Sequence, residues 1–279
     1  MKLSIITINL NNREGLKKTI DSVVSQTFTD FEWIVIDGGS TDGSRELMEQ
    51  YESRFSYWVS EPDKGIYNAM NNGVLKANGD YLLFLNSGDY LSSSTVFSQF
   101  IELQTEEDYV CGNVEVEVDG EYEILKSPER ADFGFFFRSS LPHQASFIRK
   151  RLFETYGLYN EENKIVSDWE IGLRSLVMGT AKYKHIELTV CFFDLTGVSS
   201  QQEFKVVRDQ EQRRFYLSIM PEYVLDELNY YKKEYNASIP KLRLYGEYMT
   251  IKNGKMGWII QIILWVKKQR RRLRQIILK

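Results

Sequence analysis

Cysteine is nearly absent: Cys111 and Cys191 are the only two in 279 residues, far apart and in no C-x-x-C pattern. That excludes a disulfide framework and suits two buried, reduced thiols in a cytoplasmic protein. No apolar run approaches the roughly 20 residues a membrane-spanning helix needs. Met1-Lys2-Leu3-Ser4 leads straight into a strand pattern, so no secretory signal is expected. Neither G-x-G-x-x-G nor G-x-x-x-x-G-K-[ST] follows the first strand, which argues against dinucleotide and P-loop sites. Internal repeats and low-complexity segments are also missing.

Hydrophobic residues make up 43% of the chain and charged residues 27%, ordinary values for a globular protein. The net charge of −4 conceals a division. Residues 241–279 carry 11 lysines and arginines against one acid, Glu247, which leaves 24 basic and 38 acidic residues before them. The body is therefore at −14 and the tail at +10, an asymmetry that points to an anionic surface as partner for the tail alone. An acidic body excludes coating of nucleic acid.

Strand and helix patterns alternate through the first 90 residues. Strands are expected at Leu3–Ile8, Phe31–Ile36, Phe55–Val59 and Tyr81–Leu85, with helices at about 13–26, to about Tyr51, and 66–77. Ser40 or Asp42 can cap the second helix. This spacing indicates βαβ units and a parallel sheet. Tyr81-Leu-Leu-Phe-Leu85 reads as a central strand buried on both faces. Beyond it the pattern predicts a helix at 95–103, a hairpin over 109–126 around Asp119-Gly120, and a strand ending near Ile148. Further on it predicts a helix from Ser167 to Met178, two short strands at about 181–186 and 188–194, and two polar helices broken near Pro221.

Three strand ends carry polar groups suited to a nucleotide: Thr7 to Asn12, Asp37-Gly-Gly-Ser40 and Asn86-Ser-Gly-Asp89. In open α/β sheets, ligands collect outside the carboxyl ends of the strands. Asp37 can accept from a base N–H or a ribose hydroxyl, and Asp89 is a candidate for holding a metal. Asp168, opening a helix at Ser167-Asp-Trp-Glu170, is either a first-turn acid facing the helix dipole or a general base, with Glu170 its nearest competitor. His143 is either a satisfied structural histidine or a site residue. His185 reads as structural, and Arg174 as a solvated residue or a donor to the acids.

The chain resembles inverting, family 2 glycosyltransferases of the GT-A fold. The matching stretches are Ser4-Ile-Ile-Thr7, Glu32-Trp-Ile-Val-Ile-Asp37-Gly-Gly-Ser-Thr-Asp42-Gly and Glu61-Pro-Asp63-Lys64-Gly65-Ile-Tyr-Asn68-Ala-Met-Asn71. They continue with Asn78-Gly-Asp80, Phe84-Leu-Asn86-Ser-Gly-Asp89, Pro142-His143-Gln144 and Ser167-Asp168. Among such enzymes it is most similar to those building bacterial colanic acid and capsule. The resemblance implies an α/β GT-A (nucleotide-diphospho-sugar transferase) fold, with a mostly parallel central sheet flanked by helices and a C-terminal helical extension. It implies a transferase domain over 1–200, with a nucleotide-binding half to residue 90 and an acceptor half over 91–200, and a helical extension over 201–250.

It further implies that Thr7, Asn9, Asp37, Asp63, Lys64 and Asn68 bind the nucleoside of a UDP- or GDP-sugar. Asn86, Ser87, Asp89 and His143 would lie at the donor diphosphate. Asp89 would hold Mg²⁺ or Mn²⁺, bound mainly with the donor because Asn86 and Gly88 stand where the family's D-x-D has other residues. Asp168 would be the catalytic base, and Thr196-Gly-Val-Ser-Ser200 resembles a loop that closes over the donor. The implied acceptor is a lipid-linked glycan in surface polysaccharide synthesis. Rival readings are a non-catalytic sugar-nucleotide-binding protein that recruits another transferase, and a sugar nucleotidyltransferase.

The tail pairs an 11-residue apolar stretch, Met256–Val266, with Lys267-Lys-Gln-Arg-Arg-Arg-Leu-Arg274. As a helix that stretch would span about 16 Å, half the hydrocarbon thickness. Residues 251–279 therefore read as a basic amphipathic helix on an anionic membrane surface, placing the protein peripherally at the inner face of the cell membrane. The alternative is a helix packed on the body or in a homodimer.

Overall fold

The computed structural model describes residues 2–118, 120–194, 204–234 and 236. Through Ser218 the chain forms one compact unit. A second unit starts at Ile219, and its described part is a helix over 222–234 that follows Pro221. The loop expected over 196–200 and the tail helix expected over 251–279 lie outside the described residues.

The elements of the chain are β1 (Leu3–Asn9), α1 (Arg13–Val24), β2 (Phe31–Asp37), α2 (Ser44–Gln50), β3 (Tyr57–Ser60) and α3 (Ile66–Lys76). There follow β4 (Tyr81–Phe84), β5 (Tyr90–Leu91), α4 (Val96–Glu102), β6 (Tyr109–Val118), β7 (Glu121–Leu125) and α5 (Phe133–Phe136). The series ends with β8 (Ser146–Arg149), α6 (Lys150–Tyr156), α7 (Ser167–Leu173), β9 (Tyr183–Phe192) and α8 (Lys205–Ile219). The strands form one sheet in the order β3-β2-β1-β4-β8-β6-β9-β5, with β7 also paired to β6.

The sheet is uniformly parallel from β3 through β4 and mixed beyond it. On its far side β4 meets β8 antiparallel, and β6 pairs antiparallel with β8 and β7 but parallel with β9. The expected parallel character thus holds for the first half and gives way to a mixed sheet beyond it. Every residue of β1 and β4 is buried, as expected for strands covered on both faces. α1 buries Leu16, Ile20 and Val23 at three/four spacing, and its Asn12 caps it by accepting from the Gly15 N–H at 3.1 Å. The large rings of Trp33, Tyr81, Phe100 and Phe147 are fully buried, each contributing about 2–3 kcal/mol of apolar burial.

Three expectations change. The two short strands after Thr180 are one strand, β9, whose register against β6 slips on either side of Asn113. That irregularity interrupts the alternation of side chains and makes one strand read as two. Regular α-helix in α7 ends at Leu173 and continues as a wider π-type turn over Arg174–Met178. Gly43, not Ser40 or Asp42, stands at the start of α2; Asp42 instead accepts from the backbone N–H groups of Arg13 and Ser44.

Strand register positions the site. Asn9 lies opposite Asp37, and Asp37 opposite Ser60, so the ends of β1, β2 and β3 form one row. The chain leaving β4 stays beside β1: the Ser87 N–H donates to the Ile8 carbonyl and the Asn12 amide donates to the Ser87 carbonyl.

Candidate functional site

At the row's centre Asp37 is fully buried. Its Oδ1 accepts from the Asn9 amide (2.7 Å) and the Ser40 hydroxyl (2.5 Å); its Oδ2 accepts from the Ser40 N–H (2.9 Å) and the Ser60 hydroxyl (2.6 Å). Burial pushes its pKa up, but these four donors outweigh burial and hold the carboxyl below the usual range. A carboxylate offers about four lone-pair sites, and all four are used. Asp37 therefore organises the loop and has no free acceptor for a base or ribose. Thr7 is fully buried as well, its hydroxyl accepting from the Trp33 indole N–H, so the structure does not bring it to the cleft.

The next loop closes on this row. A Cβ at Gly38 would lie 2.7 Å from Asp63 Oδ2, so glycine is what admits the Asp63 side chain there. The other Asp63 oxygen accepts from the Gly65 N–H, and the Lys64 N–H donates to Asn68 Oδ1. One turn into α3, Asn68 and Asn71 both donate to the Glu161 carboxylate at 2.9 Å, and Asn71 exchanges two hydrogen bonds with the Tyr159 backbone.

The tetrad after β4 is tied down from α1. The Thr19 hydroxyl accepts from the Gly88 N–H (3.1 Å) and donates to the Asp89 carbonyl (2.7 Å). Gly88 has φ 109°, a conformation other residues rarely adopt, and a Cβ there would lie 2.9 Å from an Asp194 carboxylate oxygen. Asp89 is 5% exposed, and its Oδ1 accepts from the Asp194 N–H at 3.1 Å. Burial raises its pKa, the Asp194 charge adds to the rise, and the nearby His143 only partly offsets it; the result is about 7. Asp89 is thus not the lone acid of its region, because β9 delivers Asp194 beside it.

His143 joins the tetrad to Asp168. Its Nε2 lies 3.1 Å from the Asn86 amide and its Nδ1 3.6 Å from Asp168 Oδ2. Burial lowers the His143 pKa, but the hydrogen bond and charge of Asp168 and the charge of Asp89 outweigh it and leave the ring easier to protonate. When the ring is protonated both nitrogens donate, and its Nε2–H then meets the Asn86 oxygen. With the amide turned that way, the Asn86 Oδ1, otherwise buried with no partner, gains a donor.

Asp168 sits in the first turn of α7 with its side chain 19% exposed. The Tyr67 hydroxyl, from α3, donates to Asp168 Oδ1 at 2.9 Å. Burial, then the Asp168 charge, raises the Tyr67 pKa well above the ordinary value, so the phenol stays a neutral donor. Asp168 and His143 lie on the wall of a cavity of about 330 Å³. Glu170 instead accepts from the Asn163 amide and faces Arg174 at 3.5 Å, away from that cavity. The structure thus separates the two acids that the sequence left in competition.

His185 has a structural setting: its Nδ1 is 2.7 Å from the Ser127 hydroxyl. With Glu129 and Glu187 it forms a group of side chains whose ligand atoms lie within 4.8 Å of one another. The Lys126 ammonium already bonds both Glu187 oxygens, at 2.9 and 3.1 Å, so a cation there would compete with it.

The family model described as "Glycosyl transferase family 2" matches residues 4–164. The chain belongs to glycosyl transferase family 2. An uncharacterized glycosyltransferase of Mycobacterium tuberculosis is 36% identical over 208 residues, covering 72% of this chain and 78% of that protein. A PGL/p-HBAD biosynthesis glycosyltransferase of Mycobacterium bovis is 30% identical over 206 residues, covering 70% and 77%. Among solved structures, S. aureus TarS 1–349 in complex with UDP superposes with a TM-score of 0.56 at 18% identity, over 69% of this chain and 60% of that one. The mannosyltransferase PcManGT from Pyrobaculum calidifontis, in complex with GDP-Man and Mn²⁺, gives 0.56 at 14% identity, over 75% and 61%. These neighbours are GT-A transferases, and the fold is GT-A.

Tyr67, Thr19, Glu161 and Asp194 were not singled out from the sequence. Tyr67 lies inside the Lys64-Gly65-Ile-Tyr67-Asn68 stretch, where its spacing from Asn68 and Asn71 was the available signal. Glu161 and Asp194 act across about 90 and 105 residues, and no local pattern marks them.

Proposed function

We propose that this family 2 enzyme transfers a sugar, with inversion, from a UDP- or GDP-sugar to a hydroxyl of a lipid-linked glycan in bacterial surface polysaccharide synthesis, of the colanic-acid or capsular kind. The carrying observation is Asp168: one carboxylate on a cavity wall, held by Tyr67 and linked through His143 to the Asn86-Ser-Gly-Asp89 turn. Asp168 takes the proton of the acceptor hydroxyl as that oxygen attacks the anomeric carbon. The bond from the anomeric carbon to the phosphate oxygen breaks on the opposite face, and the nucleoside diphosphate leaves with the electron pair. Inversion follows from the single displacement.

Asn9, Asp63, Lys64 and Asn68 would face the nucleoside, with Asp37 holding their row in place. Asn86, Ser87 and His143 would meet the diphosphate, His143 as a cationic donor. Asp89 and Asp194 suit Mg²⁺ or Mn²⁺, since two crowded carboxylates, one with its pKa raised to about 7, gain by sharing a cation. Such an ion, bound mainly with the donor, would neutralise charge gathering on the leaving diphosphate. The name of one relative, a PGL/p-HBAD biosynthesis glycosyltransferase, supports a biosynthetic sugar transfer, and the neighbours' nucleotides support the donor class.

Asp168→Asn tests the reading. It should lower transfer by about 10²–10⁴-fold while NDP-sugar binding persists. Unchanged turnover would remove Asp168 from the base role, and wild type that binds NDP-sugars without transfer or hydrolysis would make the protein a binding module. Residues 251–279 would hold the enzyme on the inner face of the membrane or pair two copies. A truncation after residue 250 should no longer sediment with anionic liposomes, and undiminished sedimentation would refute the membrane role. Thermal shift against a panel of NDP-sugars, with and without Mn²⁺, would identify the donor.

A further inference from the structure

The cavity beside Asp168 has an asymmetric wall. One side is apolar, from Leu141, Ile165, Trp169 and Phe193, and α8 adds Arg208 and Gln212, one turn apart. Its volume of about 330 Å³ is at the small end for small-molecule sites. None of Asn86, Ser87 or Asp89 lines it; His143 is the residue it shares with their neighbourhood.

α8 is held firmly over this wall. The buried Glu211 accepts from the Lys164 and Ile165 N–H groups at 2.7 and 3.0 Å. Arg214 donates to Asn163 Oδ1 at 2.5 Å, and Phe215 and Tyr216 pack edge-on against Trp169. This anchoring fixes the helix face that carries Arg208. The other long cation on the wall, Lys126, is committed to Glu187. Arg208 is half-buried and makes no ion pair or hydrogen bond with any described residue. A guanidinium partly withdrawn from water with no partner loses hydration without compensation, and its planar fork matches a carboxylate or phosphate.

We infer that the acceptor carries an anionic group close to the hydroxyl that is glycosylated, and that Arg208 receives this group within the cavity. The inference rests on the glycosyltransferase reading and deepens it by assigning the acceptor's chemistry. A uronic carboxylate on the accepting sugar and the phosphodiester of a lipid carrier share that chemistry. The apolar wall would take the sugar's hydrophobic face or the first carbons of the aglycone.

Matched probes separate these sources: an octyl glycoside, an octyl uronoside and a sugar octyl phosphodiester, each made with glucose, galactose and mannose. Their binding is measured by calorimetry on the full chain saturated with UDP or GDP. Wild type should bind one anionic class at least tenfold more tightly than its neutral match. Arg208→Ala should erase that preference, and Arg208→Lys should restore part of it. Gln212→Glu, which sets a negative charge one turn away, should weaken anionic probes alone and serves if Arg208→Ala does not fold. Equal affinities in wild type, including no measurable binding of any probe, would overturn the inference, as would a preference retained in Arg208→Ala. A loss of NDP-sugar affinity in Arg208→Ala would also overturn it, because the anion would then be the donor's diphosphate. Failure of the wild type to bind any NDP-sugar would instead overturn the underlying reading.

Discussion

Asp37 and Asp89 both lie at or just past the carboxyl end of a parallel strand, and both are buried, yet their surroundings drive them in opposite directions. Asp37 is met by four donors from three strand ends and is held ionised. Asp89 accepts one backbone N–H through Oδ1 and faces the Asp194 carboxylate, so its ionised form is costly. Burial pushes both carboxyls up, and Asp89 more strongly; at Asp37 the donors outweigh it, and at Asp89 they do not. The first site is complete without a ligand, and the second gains from a proton or a cation.

Substitution at Asp89 should break this contrast most strongly. Asp89→Asn should cut transfer by roughly 1,000-fold, about 4 kcal/mol of transition-state stabilisation, measured as kcat/KM. The same variant should be more stable than wild type in EDTA at pH 8, by up to about 4 kcal/mol in urea titrations. A variant no more stable than wild type would mean that the Asp89 charge is already compensated. Asp37→Asn should do the opposite, losing about 3 kcal/mol because its amide cannot accept from all four donors.

The pH dependence sharpens the same contrast. Asp89's pKa is higher folded than unfolded, so the native state keeps a proton that the unfolded chain has released. Its contribution is fully present below about 3.8 and is lost as pH rises toward 7. Metal-free wild type should lose stability across that interval relative to Asp89→Asn, with the two curves meeting near pH 4. Asp37, with a lowered pKa, contributes stability above 3.8 that disappears as pH falls through its folded value. The smallest effect should come from Ser60→Ala, which removes one of four donors and should cost about 1 kcal/mol in the same titrations.

Local patterns carried the fold and the motif ends. The alternation of strands and helices up to Tyr81 matches the structure closely, because period-two and period-3.6 burial is written into neighbouring residues. The mixed half was less legible: β8's antiparallel insertion and the slipped register of β9 are set by partners far along the chain. The site divides in the same way. Asn86 to Asp89, His143 and Asp168 were visible as polar groups at strand and helix ends, and the fold gathers them. Thr7 and Asp37 show the limit of such patterns, because a polar residue at a strand end looks the same whether it is exposed or bonded inward to Trp33 or to a ring of donors. Which of the two acids of Ser167-Asp-Trp-Glu170 meets the cavity depended on Tyr67, 101 residues earlier.

Glu161 has a consequence for the order in which the enzyme is made. Asn68 and Asn71, directly after the Asp63-Lys64-Gly65 turn, find their carboxylate partner about 90 residues downstream. At ribosomal speeds of about 5–20 residues per second, that partner emerges on the order of ten seconds after α3. The nascent first half can pair β1, β2 and β4 during this interval, but the start of α3 must wait for its clamp. Binding of nucleotide by a ribosome-tethered fragment should therefore appear only once the chain has passed Glu161, even though most residues proposed to touch the nucleotide have long been synthesised.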